Sequence, residues 1–94
     1  MKLRLTDAQM SELRAYLNRC EDAEQLSERE YVVDLYDIDR PVSLDLVFIR
    51  SGVAVDGAAE LKYDEEQDGW YMGERLENPQ EIVDSLNRAG AITL

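Results

Sequence analysis

From Val42 to Phe48 the chain alternates, with Val42, Leu44, Leu46 and Phe48 separated by Ser43, Asp45 and Val47. A period of two marks a strand with one buried face. Such a strand needs partners at its edges and a layer to cover its apolar side, so the rest of the chain has to supply both. Asp56-Gly57 is the strongest short hairpin signal, because glycine accepts positive φ and the pair suits a two-residue turn. A turn there places Ala54, Ala59, Leu61 and Tyr63 on the face that holds Phe48. A second turn at Arg40-Pro41 sets Leu35 against Leu46 and Val33 against Phe48, which selects the same core face. Trp70, Tyr71 and Met72, after the turn from Glu65 to Gly69, read as a fourth strand. Leu3 and Leu5 alternate with Lys2 and Arg4 as a short leading strand.

The covering layer is signalled at both ends. Thr6 and Gln9 form a capping box, Leu5 and Met10 occupy the positions of a hydrophobic staple, and Met10, Leu13, Leu17 and Cys20 lay one apolar stripe along a helix over residues 7–20. Near the other end Asn78 is an N-cap, Pro79 stands where a missing N–H costs nothing, and Glu81 completes the box. Ile82, Val83, Leu86 and Ala89 make the apolar side, Asp84 and Arg88 are spaced as an i,i+4 pair, and Gly90 is a helix stop. The acidic segment from Glu21 to Glu30 suits either another helical turn or a loop. The expected architecture is a single α+β domain over residues 1–94, a four-stranded antiparallel β-meander flanked by an N-terminal and a C-terminal α-helix. Its other sheet face then carries Val32, Tyr36, Ile38, Val47, Ile49, Val53 and Val55 beside Asp34, Asp45 and Glu60. That face is open to water if both helices pack on the first, and covered if each face takes one helix.

Charge limits the partners more than any motif does. Twenty-one acidic residues face ten basic ones and there is no histidine, for a formal charge of −11. Residues 21 to 40 hold eight carboxylates against Arg29 and Arg40, and residues 64 to 77 hold six against Arg75, so two short segments contain the excess. A field of that sign repels phosphate backbones and anionic headgroups, and no basic patch offsets it, so neither direct nucleic-acid binding nor membrane binding is expected. Salt adaptation is an alternative source of the acidity. One cysteine forms no internal disulfide, and no apolar run approaches a membrane span, so a cytoplasmic location is expected.

Catalysis finds few candidates. Acid–base chemistry and metal binding most often recruit histidine, which is absent. Cys20 lies on the helical apolar stripe as a structural thiol. Asp64, Glu66, Asp68 and Gly69 imitate the start of a calcium loop, but Arg75 stands where a bidentate carboxylate is required. No cofactor and no enzymatic activity are expected. More suggestive are aromatics among acids: Tyr36 lies between Asp34, Asp37 and Asp39, and Trp70 and Tyr71 adjoin Asp68 and Glu74. Tyr36 reads as a surface contact and Trp70 as a core anchor.

The expected function is that of a small acidic binding protein that docks on a basic partner, in the leading form a nucleic-acid-binding complex, and blocks it. The expected contacts are Asp34, Tyr36, Asp37, Asp39, Asp64, Glu65, Glu66 and Asp68. Carboxylates two apart on a strand are roughly 6.6 Å apart, comparable with successive phosphates. In size and charge the chain is similar to phage-encoded inhibitors of restriction or CRISPR systems. That likeness is compositional, and no residue motif carries it. The alternative is an interaction or assembly module, such as an immunity protein, an antitoxin-like partner or a homodimer, that uses the apolar sheet face.

Overall fold

The computed structural model describes residues Met1–Leu94 as an α+β fold with two helices and an antiparallel sheet of six strands. In chain order these are β1 (Lys2–Arg4), α1 (Asp7–Arg19), β2 (Ala23–Gln25), β3 (Glu30–Leu35), β4 (Val42–Ile49), β5 (Gly52–Asp64), β6 (Gly69–Arg75) and α2 (Pro79–Arg88). β2, β3, β4 and β5 lie side by side in that order. β1 and β6 share the far edge of β5, β1 against Gly52–Ala54 and β6 against Ala59–Asp64. Strands β3 to β6 are thus successive antiparallel neighbours, and β1 and β2 widen the sheet beyond the four strands expected. The acidic segment left open between helix and loop supplies β2, whose Ala23 pairs with Val33. No helix is long and apolar enough to cross a membrane.

Both helices cover the same face. Leu13 and Leu17 of α1 and Ile82 and Leu86 of α2 join Tyr31, Val33, Leu35, Val42, Leu44, Leu46, Phe48, Val53, Val55 and Ala58 in one buried core. The α1 box forms as its residues require, whereas the Glu81 half of the box expected for α2 does not. In α1 the Thr6 hydroxyl accepts from Gln9 N–H at 3.1 Å while the Gln9 side chain accepts from Thr6 N–H at 3.0 Å. In α2 the Asn78 side chain accepts from Gln80 N–H, and Gly90, at φ 78°, allows Ala91 N–H to reach the Leu86 carbonyl at 2.9 Å. The expected Asp84–Arg88 pair is not formed, since Asp84 accepts from the Gln80 amide at 2.9 Å. Glu81 turns to Arg40, which also binds Glu60 and so ties α2 to β5.

Two turns differ from the sequence expectation. Asp56-Gly57 is a β-bulge inside the 13-residue β5, and the chain reverses at Arg50-Ser51, where Ile49 pairs with Gly52 and Ser51 takes φ 65°. Asp45 pairs with Gly57 and Leu46 with Val55, which leaves Asp56 as the extra, exposed residue. The slip lets Val55 and Ala58 point to the same side, so Val53 and Val55 belong to the core face, at 0% and 6% exposure, and not to the outer one. Likewise β3 ends at Leu35, opposite Val42, and residues 36–41 form a loop. The pairing differs from the expected one by four positions, an even number, so the buried face of β3 is unchanged. Gly52 sits where β1 crosses: a β-carbon there would collide with the Leu3 carbonyl oxygen.

The molecule is elongated, 43 × 25 × 21 Å. Its long axis matches β5, since 13 residues in a strand span roughly 43 Å, whereas a 13-residue helix spans only about 20 Å. The helices therefore cover part of the sheet. Beyond Glu60, β5 has left β4 and continues with β6 as a two-stranded ribbon.

Candidate functional site

The sheet face away from the helices carries the alternate residues of each strand. On β3 and just beyond it these are Val32, Asp34 and Tyr36; on β4, Ser43, Asp45 and Val47; on β5 past the bulge, Ala59, Leu61 and Tyr63. Trp70 pairs with Tyr63, and Met72 with Leu61. Leu61 is buried on this side, outside the main core.

Three aromatic rings form a ladder across this face. Trp70 lies 5.0 Å from the Tyr36 ring and 5.4 Å from the Tyr63 ring, both at inclined or edge-to-face angles that suit the aromatic quadrupole. Each outer ring is tied to an acid. Tyr36 donates its hydroxyl hydrogen to Asp34 Oδ2 at 3.4 Å, and Tyr63 donates to Asp68 Oδ1. Asp22 is also close, because Asp34 N–H donates to its carbonyl at 3.0 Å. The Tyr36 hydroxyl is raised above the usual phenol range by partial burial, then by the Asp34 charge and hydrogen bond and by Asp22. Two acidic segments some thirty residues apart in sequence are thereby joined by Tyr36, Trp70 and Tyr63 on one surface.

The carboxylates of this surface remain free of internal ion pairs. Arg40 forms the only two in the molecule, with Glu60 and Glu81, and neither acid belongs to the ladder. Asp64 Oδ1 accepts from Glu66 N–H at 3.0 Å and shapes the β5–β6 turn, where Asp68 takes φ 49°; Glu65, Glu66 and Asp68 are exposed around it. No three metal-ligating side chains converge. Beside the ladder is a shallow depression of about 280 Å3, floored by Ser43, Gly57, Ala59 and Gly73 and flanked by Asp45, Met72 and Arg75.

The sequence-derived contact residues separate into groups. Asp34, Tyr36 and Asp68 meet at the ladder, and Asp64, Glu65 and Glu66 are at its tip. Asp37 and Asp39 are in the loop after β3, not on a strand, so phosphate-like strand spacing does not apply to them. Asp37 lies instead towards α1, where its charge contributes to raising the Tyr16 hydroxyl to about 12, after burial and the neighbouring Cys20. Trp70, expected in the core, is 47% exposed. Tyr63, expected on the core face with Phe48, lies on the outer face at 45% exposure, and Asp22 was not singled out by sequence. Pairing of Tyr63 with Trp70 needs a register that the Asp56-Gly57 signal conceals, and Asp22 needs β2.

No family model, curated protein or solved structure matches the chain. Its functional reading therefore rests on the surface itself.

Proposed function

We propose that the chain is a non-catalytic binding protein whose outer sheet face docks on a basic partner, in its leading form a nucleic-acid-binding protein that it blocks. The observation that carries this reading is the joining of two acidic segments by Tyr36, Trp70 and Tyr63, with their carboxylates unpaired by the protein's own arginines. Such a surface offers a guanidinium both of its preferred contacts, an aromatic face and a carboxylate. Long-range attraction from the −11 charge raises the encounter rate, and the half-exposed rings supply contact area at low entropic cost.

The test is capture of partners from a bacterial lysate at low and high salt, identified by mass spectrometry. Asp34, Asp37 and Asp39 are changed together to Asn, and separately Asp64, Glu65, Glu66 and Asp68 to their amides. Docking through this face predicts capture that weakens steeply with salt and is reduced in both variants, most in the one that removes Asp68. Undiminished capture in both removes the proposal. An assembly module that associates through Val32, Val47 and Ile49 on the same face is the second reading, favoured by the partial exposure of these residues. It predicts association that tolerates salt.

A further inference from the structure

We propose that the free edge of β6 pairs with the same edge of a second copy of this chain, antiparallel, about a two-fold axis at Tyr71. This inference does not rest on docking to a basic partner. β6 is hydrogen-bonded to β5 alone, so its other edge presents unpaired backbone groups. The ribbon it forms with residues 61–64 lies past the end of β4, and an isolated two-stranded ribbon is marginal in water. Tyr36 supports its outer face through Trp70. The helix-side face is bare at its centre, where Tyr71 is exposed. A second ribbon converts two strands into four.

The residues of the edge favour a copy of itself. Trp70, Tyr71 and Met72 are consecutive, large and exposed, on both faces of the strand. From Gly69 to Gly73 there is no charge, in a chain that otherwise repels its own kind. A two-fold axis perpendicular to the sheet keeps each copy's outer face on the same side, so opposed residues must come from the same face, and the axis must pass through a residue and not between two. Placed at Tyr71, it sets Trp70 against the partner's Met72 twice on the outer face, a sulfur–aromatic contact, and Tyr71 against its own copy on the helix side. Placed at Met72, it sets Trp70 against the partner's Glu74. The Tyr71 register is the one that matches apolar with apolar.

Covering the exposed halves of these three side chains removes on the order of 300 Å2 per copy, or roughly 600 Å2 in all, well below the 1,200 Å2 or so of a standard stable interface. The dimer is therefore weak and concentration-dependent. In this register Asp68 also approaches the partner's Glu74, so added salt, by screening like charges, strengthens the dimer. Docking on a basic partner has the opposite salt dependence.

The test combines sedimentation of the wild-type chain with cysteine cross-linking in a Cys20→Ser background. Rising protein and salt concentrations are expected to increase the dimer fraction, with a blue shift in the emission of Trp70, the only tryptophan. Tyr71→Cys is expected to form a disulfide dimer by itself, because residues directly opposed have Cα atoms about 5 Å apart, within disulfide reach. Trp70→Cys and Met72→Cys are each expected to cross-link slowly alone, their own copies lying about 8 Å away on the diagonal, and quickly when mixed. A wild-type chain that stays monomeric in high salt at concentrations up to about 1 mM, a range that reaches millimolar affinities, overturns the proposal. So does a Tyr71→Cys chain that cross-links no faster than one carrying Arg50→Cys in the β4–β5 turn. Failure of either kind leaves partner capture by the acidic face untouched, and undiminished capture in the Asn and amide variants, which removes the docking proposal, does not count against cross-linking at Tyr71.

Discussion

Tyr16 shows how much the surroundings of one side chain alter its chemistry. Burial, the Cys20 thiol and Asp37 raise its hydroxyl to about 12, against 10.0 for a free phenol. The raised folded-state value means that this group contributes stability below pH 10 and that the contribution is lost as pH rises from about 10 to about 12. Chemical denaturation across that interval is expected to show the loss, and Tyr16→Phe should flatten it; equal slopes in the two chains contradict the assignment. Gly52 is constrained by space and not by φ: Gly52→Ala pushes a methyl into the Leu3 carbonyl and is expected to cost more than about 2 kcal/mol by displacing β1, measured by urea denaturation. Trp70 illustrates what residue type alone conceals. A tryptophan after a turn resembles a core anchor by size, but here it stands on the sheet face away from both helices, and the ring meets two tyrosines instead of a core. Trp70→Ala is expected to cost about 1–2 kcal/mol, the worth of two partly exposed aromatic pairs.

At the level of elements, the ends of both helices were readable because capping depends on residues a few positions apart. Thr6→Ala removes one half of a reciprocal pair and is expected to lower stability by about 1 kcal/mol in thermal or chemical denaturation. The strands were readable in their faces but not in their turns. Asp56-Gly57 has the composition of a tight hairpin, yet neither residue has positive φ, and the pairing of β4 with β5 on both sides of the bulge outweighs the local preference. Leu44 and Leu46 need partners from one face, and the extra residue at Asp56 brings both Ala58 and Val55 to them. Deleting Asp56 forces one half of β5 to turn its core residues outwards, and is expected to cost on the order of 3 kcal/mol or more. A deletion that leaves the melting temperature unchanged contradicts the bulge. β2 was not readable, since three residues, Ala23 to Gln25, with one small apolar member carry no periodic signal, and only the edge of β3 gives them a partner.

For the molecule as a whole, sequence revealed where the charge lay along the chain but not where it lay in space. Arrangement depends on the registers of β3, β4, β5 and β6 together, which bring Asp34 and Asp68 to opposite ends of one aromatic ladder and send Asp37 towards α1. Net charge alone attracts any basic protein; a docking face attracts through particular carboxylates. The two are separated by variants of equal charge. In one, Asp22, Asp34 and Asp68 become Asn; in the other, Asp7 and Asp84 become Asn and Glu77 becomes Gln, three acids of the two helices and the segment before α2 that make no contact with the ladder. The decisive measurement is the amount of the principal partner that each variant and the wild type retain from lysate at low salt. Docking through the outer face predicts that the first variant loses most of the partner while the second retains nearly all of it. Equal loss in both, or none in either, contradicts that claim.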